Sequence, residues 1–350
     1  MKPKVVVFDV DETLGYFTQF SIFGHVLEEY FNKPGIMYRY FNDLVDLYPE
    51  IIRPNMVRIL DYIRKKKNAG VCSKVMIYTN NAGPDKWVGH IRQYFENKLR
   101  TFTGGGSSSS DTKSGLAIVP PLFDHTIGGF KPNQESASSS SSSTYPQRTT
   151  SHKTVNEFIR CGRLPSDIEI CFLDDVEHPK MVDERVYYIK LQPYHSYIPF
   201  EMFVVRFLNS ALYRDVFDKF NVPSITPGMA SNAKKQILSI EIHNLFVKYA
   251  NLSEYDAKVN QQDINPREID EIISKYILYH LHQFFREGPP QLSLQRGLKP
   301  SSNRRRTIKT SKKKTSTRSQ QHPASATSNI FYVDKTTSVK NMRNKTMRKR

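Results

Sequence analysis

VVVFDVDETL, residues 5 to 14, is an apolar run that stops at two aspartates one residue apart, Asp9 and Asp11, with Thr13 close behind. A short apolar run bounded by acids reads as a buried strand, and a strand apolar on both faces belongs in a parallel sheet covered by helices. In such sheets ligands gather beyond the carboxyl ends of the strands, which is where Asp9 and Asp11 fall. Side chains alternate along a strand, so residues 9 and 11 share a face for as long as the extended conformation lasts. Two carboxylates in a cleft repel and are relieved by a cation or by sharing a proton. Alone, Asp-x-Asp-x-Thr is equally a polar turn before a helix cap.

Two further runs shift the balance toward a site. IEICFLDD, residues 168 to 175, has five apolar residues among the six before Asp174 and ends in Asp174 and Asp175. KVMIYTNN, residues 74 to 81, is a shorter apolar run that ends in Thr79, Asn80 and Asn81. In a parallel sheet all three ends face one crevice, so the expected fold class is α/β with a doubly wound parallel sheet.

An acidic strand end, a Thr-bearing strand end and a second acidic strand end, in this order, resemble the haloacid dehalogenase superfamily of phosphatases. The branch that dephosphorylates the carboxy-terminal domain of RNA polymerase II is similar in DVDETL at 9 to 14, in Arg53-Pro54 opening RPNMVRILDYI, and in YTNN at 78 to 81. The resemblance spans roughly residues 4 to 195, interrupted by inserts. It implies that Asp9 is a nucleophile that becomes an aspartyl phosphate, and that Asp11 is the general acid and then the general base, a role worth about 10² to 10⁴ in rate. It implies Mg²⁺ held by Asp9, Asp174 and the main-chain carbonyl of Asp11, with Asp175 in the outer shell. Asn80-Asn81 stand where the family carries small residues, and Asp175 stands where close relatives often carry Asn.

Charge that develops on a transferring phosphoryl group needs donors aimed at it. Thr79 offers a hydroxyl, and Thr13 and Asn80 join it as candidates for substrate contact. A lysine is also expected. Lys131 lies in the Gly-rich GGFKP, and Lys153 opens the predicted helix of TSHKTVNEFIRCG, 21 residues before Asp174. Lys153 is preferred, because a helix that returns the chain to a parallel strand points its start back at the crevice. Arg53 has two readings, a fork for a phosphate or carboxylate and an internal salt bridge. His178 reads as loop polarity that could touch substrate or metal, and no His-x-x-x-His or His-x-Glu pattern near it suggests a zinc hydrolase.

The predicted organisation has a catalytic part at 1–199, a helical extension at 200–290 and a basic disordered tail at 291–350. Within the first part, 15–52 is a helical insert after the first motif, whose aromatics either select substrate or pack. Residues 103–151 are a Ser/Gly-rich flexible insert, containing GGGSSSSD and SASSSSSS on either side of PPLFDHTIGGF, which is expected to supply one strand. The three amphipathic segments of 200–288 are read as packed core. From Arg296 onward there are 17 Lys plus Arg against one acid, Asp334, which leaves 34 basic and 33 acidic residues in the first 295. RRRTIKTSKKK at 304 to 314 suits nuclear import or a salt-sensitive grip on nucleic acid or another polyanion, and the bland alternative is a solubilising tail.

The chain is 38% hydrophobic with mean hydropathy −0.53, and Cys72, Cys161 and Cys171 form no CxxC pair. No signal-peptide pattern and no apolar run of about 18 residues is present, so an intracellular setting, nucleus or cytoplasm, and no membrane contact are expected. The expected function is Mg²⁺-dependent hydrolysis of phosphoserine or phosphothreonine in a protein. The alternatives are a catalytically silent binding protein of the same fold and a nucleotide or polynucleotide-end phosphatase recruited by the tail.

Overall fold

The computed structural model describes residues 2–81, 83, 85–104, 120–132, 145–226, 228–252, 265–290 and 330–333. The serine tracts and the 304–314 basic run lie outside them.

Six parallel strands form one sheet in the order β3-β2-β1-β4-β5-β6. They are β1 (Lys4–Phe8), β2 (Lys74–Tyr78), β3 (His125–Ile127), β4 (Glu169–Asp174), β5 (Val186–Leu191) and β6 (Ile330–Val333). Helices α1 (Thr18–Tyr30), α2 (Ile36–Arg39) and α3 (Phe41–Asp46) follow β1, and α4 (Met56–Asn68) leads into β2. Then α5 (Asp85–Gly104) precedes β3 and α6 (Val155–Gly162) precedes β4. After β5 come α7 (Phe200–Leu208), α8 (Ala211–Asp215), α9 (Ser231–Leu252) and α10 (Arg267–Glu287).

Strand alternation sorts the apolar residues onto two faces. Val6, Phe8, Ile77, Leu173 and Ile189 belong to the larger core, shared with α1, α3, α4, α5, α7, α9 and α10. Val5, Val7, Met76, Tyr78, Phe172 and Tyr188 belong to the other, against Val155, Phe158 and Cys161 of α6. Helices on both faces of a parallel sheet are compatible with a doubly wound fold. The aromatics of the insert after β1 mainly pack: the Phe23 ring lies 5.1 Å from Phe203 and 5.4 Å from Phe246. Burying a ring of that size contributes about 2 to 3 kcal/mol.

The chain runs outward from β1 through β2 to β3, then crosses back to β4 on the other side of β1. That reversal puts the crevice between β1 and β4 at the carboxyl edge. The register pairs Phe8 with Leu173, and Asp9 N donates to Leu173 O at 2.9 Å, so Asp9 and Asp174 emerge side by side.

Two boundaries read from the sequence need correction. The tail expected to be disordered from 291 contributes β6, whose Val333 is buried and whose Phe331 stacks on Tyr187 at 4.3 Å. Ile-Phe-Tyr-Val is the composition a strand favours, and it covers a β5 edge that would otherwise be unpaired. The insert expected to be flexible through 151 has a buried residue near its end, Arg148. The stretch PPLFDHTIGGF does supply β3. All three cysteines are free and buried, and among the described residues no helix is long and apolar enough to cross a membrane.

Candidate functional site

Lys153 is buried between two strand ends, its Nζ 2.8 Å from Asp9 Oδ1 and 2.6 Å from Asp174 Oδ2. Asp9, Asp174 and Asp175 each offer a carboxylate oxygen within 4.8 Å of the others. His178 closes the far side, with Nε2 3.3 Å from Asp174 Oδ2, and Asp174 Oδ1 accepts from Val176 N at 2.8 Å.

Local sequence explains the placement of the lysine. Thr154 caps α6 by accepting from Glu157 N at 3.0 Å, a Ser/Thr-x-x-Glu start that fixes where the helix begins. Thr154 N donates to Tyr78 Oη at 3.2 Å, which pins the segment to the end of β2. Lys153, one residue ahead of the cap, then reaches over the Tyr78 and Phe172 rings, 5.9 and 5.7 Å from their centres. Lys131 stands half-buried beyond β3.

Three carboxylates around one ammonium leave an excess of negative charge. Burial, reinforced by Asp174, raises Asp9 to about 6 against the pull of Lys153. Burial, then Asp9 and Asp174, raise Asp175 to about 7. Asp174 is lowered, because Lys153 and His178 outweigh its burial, and Lys153 is raised, because Asp9 and Asp174 outweigh its own burial. Asp9 Oδ1 is buried, and the Lys153 ammonium 2.8 Å away is its close ionic partner. Three buried carboxylates that share a single ammonium form an over-negative oxygen cluster that fits a hard divalent cation.

The Asp11 carboxylate lies outside that cluster. Its Oδ2 accepts from Asn81 Nδ2 at 2.9 Å, and burial raises its pKa against that bond. Thr79 is buried, and its hydroxyl accepts from Asn81 N at 3.1 Å, which keeps the hydroxyl proton for another acceptor. Asn80 is exposed and its Oδ1 accepts from Arg148 Nη1 at 2.9 Å.

Two residues taken as substrate contacts sit beneath the crevice instead. Thr13 is fully buried and spends its hydroxyl on Asp175, donating to Oδ1 at 3.0 Å and accepting from Asp175 N at 3.2 Å. It ties the loop after β1 to the loop after β4. Arg53 is also fully buried, and donates to the carbonyls of Thr13 at 2.8 Å, Glu12 at 2.5 Å and Gln192 at 2.9 Å. Full burial keeps Arg53 from acting as a phosphate fork, and among the described residues no close salt bridge forms. Carbonyls hold Nε and Nη2, Nη1 has no hydrogen-bond partner there, and Asp270 and Asp175 attract its charge at longer range. Glu12, in a left-handed conformation with φ 58°, makes the turn the carbonyls define.

Arg148 was not anticipated. Its Nη1 donates to Thr79 O at 3.0 Å and its Nη2 to Ser151 O at 2.7 Å, while its guanidinium lies 4.9 Å over the Tyr78 ring. It therefore links the Thr79 strand end to the segment carrying Lys153. The available signal was an arginine five residues before that lysine, in QRTTSHK. His178 and Asn81 likewise matter more here than their loop positions suggested. Comparison of the chain with protein-family models, curated proteins and solved structures gave no match.

Proposed function

We propose that this chain is a phosphoric monoester hydrolase of the haloacid dehalogenase type that works through an aspartyl phosphate on Asp9. The observation that carries the reading is Lys153 between Asp9 and Asp174, with Asp175 beside them, at the carboxyl ends of adjacent parallel strands. Asp9 and Asp174 would hold Mg²⁺, helped by Asp175 in the outer shell and the Asp11 carbonyl. When bound, the ion neutralises charge on the phosphoryl oxygens.

In the first half-reaction an Asp9 oxygen attacks phosphorus and the ester bond to the leaving oxygen breaks, with Asp11 giving that oxygen its proton. In the second, Asp11 takes a proton from water, the water oxygen bonds to phosphorus, and the bond to Asp9 breaks to release phosphate. The raised pKa of Asp11 supports the first role, since a group that must arrive protonated benefits from burial. Lys153 and the Thr79 hydroxyl are the donors for the phosphoryl oxygens. Asn81 positions Asp11, Thr13 positions Asp175, and Arg148 positions the Thr79 loop.

The substrate class that goes with the resemblance is phosphoserine or phosphothreonine in a protein. The test is hydrolysis of an aryl phosphate with and without Mg²⁺, with Asp9→Asn as control. Mg²⁺-dependent turnover that this change abolishes is expected. Turnover that survives it, or that ignores the metal, contradicts the roles given to Asp9 and the cluster, and complete inactivity of the unaltered chain favours a binding protein. Removing residues 296–350 separates a polynucleotide-end phosphatase, which would lose affinity steeply with salt, from a protein phosphatase.

A further inference from the structure

A pocket of about 200 Å³ adjoins Asp11 on the side of the insert helices. Asn81 joins the two, lining the pocket and donating to the Asp11 carboxylate at 2.9 Å. Helix α1 contributes Ser21, His25 and Glu28, whose spacing of four and three residues makes one stripe along the helix. The opposite walls include Tyr38 of α2 and Trp87 of α5. Met37 of α2 packs directly over Gly24 of α1, so a Cβ at 24 would have to displace the Met37 side chain.

The chemistry of this lining is specific. Glu28 Oε1 is buried and has no hydrogen-bond partner. A carboxylate oxygen left bare beside aromatic rings favours a cation, which pairs with the carboxylate and is attracted to the rings. A neutral apolar group would leave the oxygen unmet, and an anion would be repelled by it. The volume admits the end of one long side chain rather than a second large residue.

We infer that this pocket is a subsite for a cationic side chain, arginine or lysine, close in sequence to the phosphorylated residue. The inference rests on the phosphatase reading for its role in turnover: Asp11 protonates the leaving oxygen, so a pocket joined to Asp11 receives the leaving chain. It adds a preference for phosphosites with a neighbouring basic residue, which nothing in the catalytic cluster dictates.

Two measurements on the full chain test it separately from catalysis. Trp87 is the chain's single tryptophan, so its emission reports occupancy of the pocket directly. Titration with N-acetyl-arginine amide is expected to give a saturable change that the citrulline analogue and the Glu28→Gln variant do not give. The absence of a saturable change, or the same change with citrulline, overturns the subsite whether or not the protein is a phosphatase. In turnover, phosphoserine peptides differing only in arginine or citrulline beside the phosphoserine should differ by about tenfold in kcat/KM, and Glu28→Gln should bring the ratio near one. A ratio of one in the unaltered chain, or a ratio that Glu28→Gln leaves in place, rejects the inference. Failure to hydrolyse an aryl phosphate strikes the phosphatase reading instead, and the emission titration still decides the pocket.

Discussion

Arg53 and Lys153 are both fully buried near the carboxyl edge of the sheet, and different partners hold them. Arg53 is gripped by the backbone carbonyls of Glu12, Thr13 and Gln192, and its burial lowers its pKa to about 10. Lys153 is gripped by Asp9 and Asp174, with Asp175 adding a third carboxylate to the cluster. Carbonyls do not ionise, so the Arg53 hydrogen bonds persist across pH and cost stability when broken, while Asp270 and Asp175 act on its charge without a close ion pair. Carboxylates exchange protons and cations, so the Lys153 contacts form an electrostatic balance that a ligand can change. Burial of a charge therefore does not identify a site by itself; the ability of its partners to change charge does.

Asp9→Asn attacks the carboxylate side most directly and should have the largest effect. Aryl-phosphate turnover with Mg²⁺ is expected to fall at least about 10³-fold, the scale that the nucleophile role proposed for Asp9 requires. Metal-free stability at pH 7.5 should not fall, because the change removes a charge that burial disfavours. A lower melting temperature would show that Asp9 is held by more than the cluster.

The contrast itself is tested by removing each cation. Lys153→Met is expected to reduce kcat by about 10² to 10³, the cost that the donor role proposed for Lys153 implies. Arg53→Met should instead cost about 3 kcal/mol of unfolding free energy in denaturant titration, since carbonyls in the turn lose a buried donor. The comparison breaks if the two phenotypes are exchanged, with Arg53→Met raising KM at unchanged stability.

What the sequence revealed follows the same division. The three strand ends were legible because each joins an apolar run and its polar residues within ten positions, and Lys153 was legible because a helix must return the chain to β4. Thr13 was visible but misplaced: its hydroxyl partner, Asp175, is 162 residues away, and only folding shows that the bond consumes it. The Arg53 carbonyls are as remote, with Gln192 139 residues distant. Arg148 sits beside a serine-rich stretch whose composition concealed it, and β6 is four apolar residues inside a strongly basic tail, where net charge dominates any average.

Titration sharpens the comparison next. Asp9 and Asp175 have folded values of about 6 and 7, above their unfolded value of 3.8, so the folded state binds more protons between about pH 4 and 7. Their contribution to stability is therefore present below that window and is lost as pH rises through it. Without metal, these two carboxylates should withdraw about 4 kcal/mol between pH 5 and pH 7.5, at about 1.4 kcal/mol for each pH unit between 5 and the folded value, enough to lower the melting temperature by several degrees. Mg²⁺ should abolish the fall by favouring the ionised carboxylates. An Mg²⁺ effect equal at both pH values would mean that the ion does not bind the cluster.

Arg148 is intermediate between the two buried cations, since it holds a carbonyl and an amide oxygen of the Thr79 loop rather than a carboxylate. Arg148→Ala should lower kcat about tenfold, the effect of a slightly misplaced donor, with Arg148→Lys recovering only part because one ammonium cannot span both strands of contact. A change confined to melting temperature would make the residue purely structural.

The smallest effect is expected at the opposite edge of the sheet, where a half-buried base is kept neutral. His280 Nδ1 lies 2.9 Å from the Tyr187 hydroxyl near the start of β5, its ring is 5.1 Å from Phe331 of β6, and burial lowers its pKa to about 4. Here the unfolded state binds the extra proton, with a reference value near 6.5, so stability is present above that value and is lost as pH falls toward 4. Allowing for partial exposure, the loss is about 1 to 2 kcal/mol, opposite in sign to the carboxylate contribution in the same window. His280→Phe should remove it and steepen the metal-free fall between pH 5 and pH 7.5, measured by thermal melts. An unchanged slope would place the pH response wholly in the carboxylate cluster, and a shallower one would show that folding favours a protonated His280 beside β6.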